Sequence, residues 1–199
     1  MTNQDPNQAL IDFRNIVNEY AVLNDAEWEY LVSNLEVLSF KKDDLIHKSG
    51  NRIEHLFFLI NGTVRKFSQH GEMQITNNVY SNQRFVTDLL SVSEQKPSIY
   101  SFECLCDTTL VKLSVEFSEK AFTMSPTFST IARTMYQQAL LQESLRLREV
   151  LTATPTEQYL RFVSEHKELS QKLPQNKIAE CLNIAPETLS RIKKKLLMA

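Results

Sequence analysis

The chain has 199 residues and a mass of 23.0 kDa, with 42% apolar and 23% charged side chains. That composition is that of one soluble globular domain with at most a small appendage, and it excludes a disordered or collagen-like chain. Of the 22 basic and 24 acidic residues, six basic (Lys172, Lys177, Arg191, Lys193, Lys194, Lys195) and two acidic (Glu180, Glu187) fall from Lys172 onward, so a tail of +4 follows a body of −6. A basic tail on an acidic body points to a polyanion at one end, although lysines at a helix C-terminus also favour the macrodipole.

The opening MTNQDPNQ has no basic run followed by an apolar core, so no signal peptide is expected. Leu10, Phe13, Val17 and Tyr20 fall at helical spacing. A second helix starts at Asn24 or Asp25, both good caps, and runs to about Asn34 with Trp28, Leu31, Val32 and Leu35 turned to the body. From Val37 to about Leu113 short apolar runs alternate with turn signals. Asn61-Gly62 between two apolar runs predicts a β-hairpin. A second turn at Gln69–Glu72 leads into Met73–Thr76, and strands are expected near Tyr100–Leu105 and Thr109–Leu113. Leu56–Ile60, the longest strongly apolar stretch, is too short to cross a bilayer. Short strands at this spacing indicate a jelly-roll-like β-roll.

After Phe117 the helical period returns. Ser125-Pro126 opens a helix to about Leu151, some ~39 Å long at 1.5 Å per residue. That exceeds what one small roll covers, so a second copy is expected to pack on it, with Ile131, Met135, Gln138, Gln142 and Leu145 as the candidate dimer interface. The division expected is 1–124 for the N-terminal helices and roll, 125–152 for the long helix and 153–199 for a C-terminal unit that opens at Thr154-Pro155-Thr156-Glu157.

That last unit holds the most specific signal. Pro174 begins a short helix whose Ile178, Ala179 and Leu182 face inward, with Ala179 small where another helix crosses. Asn183 sits at the turn and tolerates a left-handed conformation. Pro186 lies in the first turn of the next helix, and Leu189, Ile192 and Leu196 form its apolar face. This is a helix-turn-helix whose second helix is equipped for a major groove. Gln175, Glu187, Thr188, Ser190, Arg191, Lys194 and Lys195 are the candidate DNA contacts. Arginine matches guanine O6 and N7, a carboxylate accepts from cytosine N4, and Glu187 and Arg191, four apart, can orient each other. An ordinary helical hairpin with an i,i+4 ion pair is the alternative.

In that order, the roll, long helix and helix-turn-helix resemble the Crp/Fnr family of transcription regulators. The likeness rests on Ile60-Asn-Gly-Thr-Val64 and on Ile178-Ala with Glu187-Thr-Leu-Ser-Arg191. The resemblance implies an α+β fold with a cyclic-nucleotide-binding-like β-roll, a bacterial homodimer joined through the long helix, a palindromic double-stranded DNA operator with TGA in each half-site, and RNA polymerase as a partner. It also implies departures. Cyclic-nucleotide-binding members carry a Gly-Glu pair and later an Arg-Ser or Arg-Thr pair. Aligned on Lys96-Pro-Ser98, Val86 and Thr87 stand at the first pair and Pro97 at the arginine. Losing a charge-assisted phosphate contact costs about 1.5–3 kcal/mol, so the small-molecule effector is unknown and not cAMP. Arg84, Thr87, Lys96 and Ser98 are the candidate ligand contacts.

The iron–sulfur branch needs four cysteine ligands, and this chain has Cys104, Cys106 and Cys181. They read as free thiols in a cytoplasmic protein. His47, His55, His70 and His166 show no ligand spacing, so no metal and no cofactor are expected. No His-x-His set, nucleophile–base motif or phosphate loop is present, and no enzyme activity is expected. The family's two-stranded wing has no counterpart before Ala199, which implies a truncated or absent wing. The alternative function is a sensor of cyclic nucleotides or other small anions whose helix-turn-helix makes protein contacts.

Overall fold

The computed structural model of the chain describes residues 5–81 and 83–198. Met1–Gln4, the start of the stretch read above for a signal peptide, and Ala199 lie outside them. Helix α1 (Pro6–Asn18) has Pro6 in its first turn and Asp5 as its cap, and buries Ala9, Phe13, Ile16 and Val17. Helix α2 (Asp25–Val32) is closed by a reciprocal capping box between Asn24 and Glu27, which satisfies two otherwise orphaned N–H groups.

Among the described residues eight strands follow: β1 (Glu36–Phe40), β2 (Leu45–His47), β3 (His55–Asn61), β4 (Thr63–His70), β5 (Met73–Ser81), β6 (Arg84–Val86), β7 (Tyr100–Cys104) and β8 (Thr108–Ser114). They form two antiparallel four-stranded sheets, β1-β8-β3-β6 and β2-β7-β4-β5. Helix α3 (Leu89–Glu94) bridges β6 and β7.

The hairpin expected at Asn61-Gly62 does not form. β3 pairs with β6 and β8, whereas β4 pairs with β5 and β7. The chain changes sheets at Gly62, where φ is +117° and a Cβ would lie 2.5 Å from Thr108 Oγ1. Of the two turn residues only Gly62 has a positive φ, and a sheet-to-sheet corner asks for that glycine as much as a hairpin does. The flanking composition carried the difference. Leu56–Ile60 is buried throughout, and a strand covered on both faces reads as a continuous apolar run. Phe57 and Leu59 face the core between the sheets, and Leu56, Phe58 and Ile60 face a layer of helices. The Gln69–Glu72 turn does make a hairpin, β4 to β5, with His70 opposite Met73.

That helical layer contains α1, α2, α4 (Val115–Met124) and the first half of α5 (Pro126–Thr152), packed on one outer face of the roll through Phe117, Ala121, Phe128 and Ile131. α5 has 27 residues and begins at a Ser125 cap with Pro126 behind it. The C-terminal unit comprises α6 (Pro155–Glu165), α7 (Lys167–Lys172), α8 (Gln175–Cys181) and α9 (Pro186–Leu197). α6 opens with the Thr154–Glu157 capping box. Among the described residues no helix is long and apolar enough to cross a membrane.

Gly62→Ala should destabilise the roll by about 2 kcal/mol or more, since it adds both a left-handed strain and a clash with a strand backbone. Urea denaturation checks this, and a loss within about 0.5 kcal/mol would show that the corner relaxes freely.

Candidate nucleic-acid interface and effector cavity

α8 and α9 make the helix-turn-helix. Asn183 takes a φ of +53° at the turn, and Pro186 sits at the start of α9 behind Ala185. Ile178, Ala179, Cys181, Leu182, Leu189 and Ile192 are buried, while Leu196 is exposed. Gln175, Glu187, Ser190, Arg191, Lys194 and Lys195 are exposed and Thr188 is half-buried. The pairing of Glu187 with Arg191 is not made. Among the described residues the ion pairs of α7 and α8 join Lys177 to Glu103 and Glu180, Arg65 to Glu180, and Lys172 to Glu168. Arg191, Lys194 and Lys195 of α9 are in none of them and form an exposed basic cluster.

Sequence reasoning did not place the unit against the roll. The register of β4 and β5 shifts between Lys66 and Phe67, so Asn78 opposes Lys66 and Thr76 opposes Phe67. The extra residue, Asn77, is a bulge, and bulges re-aim backbone groups. The Thr76 amide donates to Asn183 Oδ1, and Asn183 Nδ2 donates to the Thr76 carbonyl, both at 2.7 Å. The Thr76 hydroxyl donates to the Glu180 carbonyl at 2.7 Å. The turn asparagine thus works as a short strand on the sheet edge.

Arg65, with no exposed surface, lies beneath this contact. Its Nε donates to Thr76 Oγ1 (2.8 Å), Nη2 to Gln74 (2.8 Å), and Nη1 to Glu103 (3.0 Å) and to Glu180 of α8 (3.3 Å). Its guanidinium also lies 4.4 Å from the centroid of the Phe67 ring. A buried guanidinium needs such a full set of acceptors, since an unpaired charge there is very costly. Lys177 adds 2.9 Å contacts to Glu103. Around these polar groups, Leu105 of the roll packs with Phe162, Leu173, Ile178 and Leu189.

Of the candidate ligand contacts, Arg84, Thr87 and Lys96 line a cavity of about 440 Å³ between the roll and α5. Ser98 does not line it. It is buried and donates to Asp88 Oδ2 at 2.9 Å, holding a carboxylate that does line the cavity. Lys96 is paired with Glu94 at 2.8 Å on the surface. Lys66, which sequence reasoning missed, lines the cavity from within and is almost wholly buried. Of the residues that alternate onto its face of β4 only Val64 is apolar, with Ser68 and His70 beyond it, so the strand pattern carried no signal of an inward lysine.

The candidate dimer residues divide differently from expectation. Ile131 is buried in its own chain's core and Met135 packs on that core. Met135, Gln138 and Gln142 line the cavity, and Gln138 accepts from the Tyr20 hydroxyl at 2.9 Å. That face of α5 is turned to its own roll. Leu145 is exposed, as are Leu140, Leu147 and Leu151; Leu140 borders the cavity, while Leu147 and Leu151, four apart on one helix face, do not line it.

Cys104, Cys106 and Cys181 are free thiols. Burial pushes Cys104 and Cys181 up to about 12, so neither is a thiolate at neutral pH. Among the described residues no group of three or more His, Cys, Asp or Glu is placed to hold a metal.

No family model and no curated protein matches the sequence. Solved structures do. A transcriptional regulator of the Crp/Fnr family from Eubacterium rectale matches with a TM-score of 0.68 at 18% identity, over 88% of this chain and 84% of that one. The c-di-GMP-responsive global regulator CLP of Xanthomonas campestris matches with a TM-score of 0.64 at 13% identity, over 85% and 90%. A structure described as a cyclic nucleotide binding protein of Ruegeria pomeroyi matches with a TM-score of 0.63 at 15% identity, over 98% and 89%. The chain has the Crp/Fnr-like fold, a cyclic-nucleotide-binding-like roll followed by a long helix and a helical C-terminal unit.

His166 joins α6 to α7, buried with its ring 5.0 Å from that of Phe162. Burial, with the Arg84 charge adding to it, pulls it down to about 4 from 6.5. The fold favours neutral His166, so its contribution is complete above pH 6.5 and is lost as pH falls toward 4. Between pH 7 and pH 5 this should cost about 1–2 kcal/mol, read as a lower melting temperature that His166→Phe makes markedly less pH-dependent. An unchanged pH profile in the variant would contradict the assignment.

Proposed function

We propose that the protein is a homodimeric, sequence-specific DNA-binding transcription regulator of the Crp/Fnr type. The observation that carries this reading is how α8 and α9 divide their work. Docking on the roll uses Lys177, Glu180 and Asn183, and leaves Glu187, Ser190, Arg191, Lys194 and Lys195 on open surface. α9 begins at Pro186, so Glu187, Ser190 and Arg191 fall in its first two turns, the part of a recognition helix that reaches base edges. Arg191 would match a guanine and Glu187 a cytosine amine, with Ser190 beside them. Lys194 and Lys195 lie one turn further on, where phosphates run. The TGA half-site remains the implication of the resemblance.

The second copy docks through α5, on exposed Leu147 and Leu151 rather than through Ile131 and Met135. Exposed leucines at this spacing form a helix-pairing seam. Two recognition helices about 34 Å apart would then read a palindrome. RNA polymerase is the proposed downstream partner, and the cavity is the place for a small-molecule effector. A cyclic nucleotide is a poor occupant, since Val86, Thr87 and Pro97 stand where its ribose and phosphate contacts belong.

Selection from random duplexes at low and near-physiological salt should enrich a palindrome. No enrichment at either salt would favour the reading in which the helix-turn-helix contacts protein. On the best site Arg191→Ala should cost about 1–3 kcal/mol and relax preference at one base pair; unchanged preference would count against direct readout. In sedimentation, Leu147→Glu should convert the dimer to monomer, and a dimer that persists would place the interface elsewhere.

A further inference from the structure

The cavity contains two buried polar groups whose needs the chain does not meet. Lys66 is 8% exposed. Its Nζ makes one long hydrogen bond, 3.4 Å to the Thr87 carbonyl, and lies 4.4 Å from the Tyr100 ring centroid. Burial holds its pKa below the usual lysine range. Thr87 Oγ1, also buried, has no hydrogen-bond partner among the described residues. Both side chains line the same cavity. The two nearest carboxylates are engaged elsewhere. Asp88 accepts from the Ser98 hydroxyl and the Ser91 amide, and Glu143 accepts from the Tyr80 hydroxyl at 3.4 Å. A buried ammonium with no paired carboxylate is costly, and an anion brought in from solution relieves it.

We propose that this cavity binds a small organic monocarboxylate, whose oxygens accept from Lys66 Nζ and Thr87 Oγ1. The charged groups of the wall balance by count, Lys66 and Arg84 against Asp88 and Glu143, and Lys96 against its partner Glu94. One ammonium and one hydroxyl therefore suit a single negative charge better than the two of a phosphate dianion. The body of the ligand lies against Phe85, Tyr100 and Met135, which line the same space. Gln138 and Gln142 of α5 complete the wall, so an occupant touches the helix that leads to the C-terminal unit. The proposal gives the effector a chemical class. It rests on the regulator reading only for its consequence, because binding itself is measured without DNA.

Thermal denaturation of the full chain tests it, with benzoate and hexanoate as probes and inorganic phosphate and cAMP as comparisons. The carboxylates should raise the melting temperature with concentration, and phosphate and cAMP should not. Lys66→Met should weaken carboxylate binding about tenfold or more, the loss expected for a charge-assisted hydrogen bond. The same variant without ligand should melt no lower than the parent, since it replaces a buried ammonium with an apolar chain of similar length. Thr87→Val should weaken binding by a smaller factor. Equal protection of Lys66→Met, protection by phosphate in place of the carboxylates, or no protection by either carboxylate would each overturn the proposal. A chain that binds carboxylate and ignores DNA would overturn only the regulator reading.

Discussion

Two adjacent basic residues on one strand organise most of the molecule. Side chains alternate across a strand, so on β4 Arg65 and Lys66 must point to opposite faces of the sheet. Arg65 points outward, where the C-terminal unit covers it, and Lys66 points inward, to the cavity. Both are buried, and the fold treats them differently. Arg65 meets four side-chain acceptors and becomes the polar centre of a domain contact. Lys66 meets one carbonyl and a ring. The full set of partners makes Arg65 a structural cation, and the deficient set beside open volume is what the proposed ligand site rests on.

The contact centred on Arg65 also explains how a short C-terminal unit holds its place. α8 alone is seven residues, well below the length at which a helix is stable by itself in water. It is held instead by Leu105 and by the Asn183–Thr76 pair at the β5 bulge. Because the contact uses α8 and the turn, α9 keeps its polar face in solvent. Reader and roll can therefore be in contact while the surface proposed for DNA stays open. α5 lines the cavity with one face and leaves Leu147 and Leu151 exposed on another, so the proposed ligand site and the proposed dimer seam share one helix.

Much of this was legible in the residues, and for local reasons. Ser125-Pro126, Thr154–Glu157 and Asn24–Glu27 are cap chemistry, which acts within one turn. The Asn183 turn and the apolar positions of α8 and α9 follow the same logic. What escaped were facts of which face meets what. Asn61-Gly62 states a backbone conformation and not the sheet the chain enters next. The apolar rows of α5 are visible in sequence, but whether Ile131 or Leu147 faces its own roll depends on where α5 crosses it. The roles of Arg65 and Lys66 required knowing that both faces of β4 are covered.

The central claim is that the helix-turn-helix is docked on the roll through the bulged edge of β5. Amide hydrogen exchange on the intact protein and on Asn183→Gly tests it most directly, since glycine keeps the turn's φ and deletes only the bridging side chain. The Thr76 amide should be protected in the parent and exchange about tenfold faster or more in the variant, with α8 losing protection alongside it and β3 and β8 unchanged. A Thr76 amide that exchanges freely in the parent, or equally slowly in both proteins, would contradict the docked arrangement.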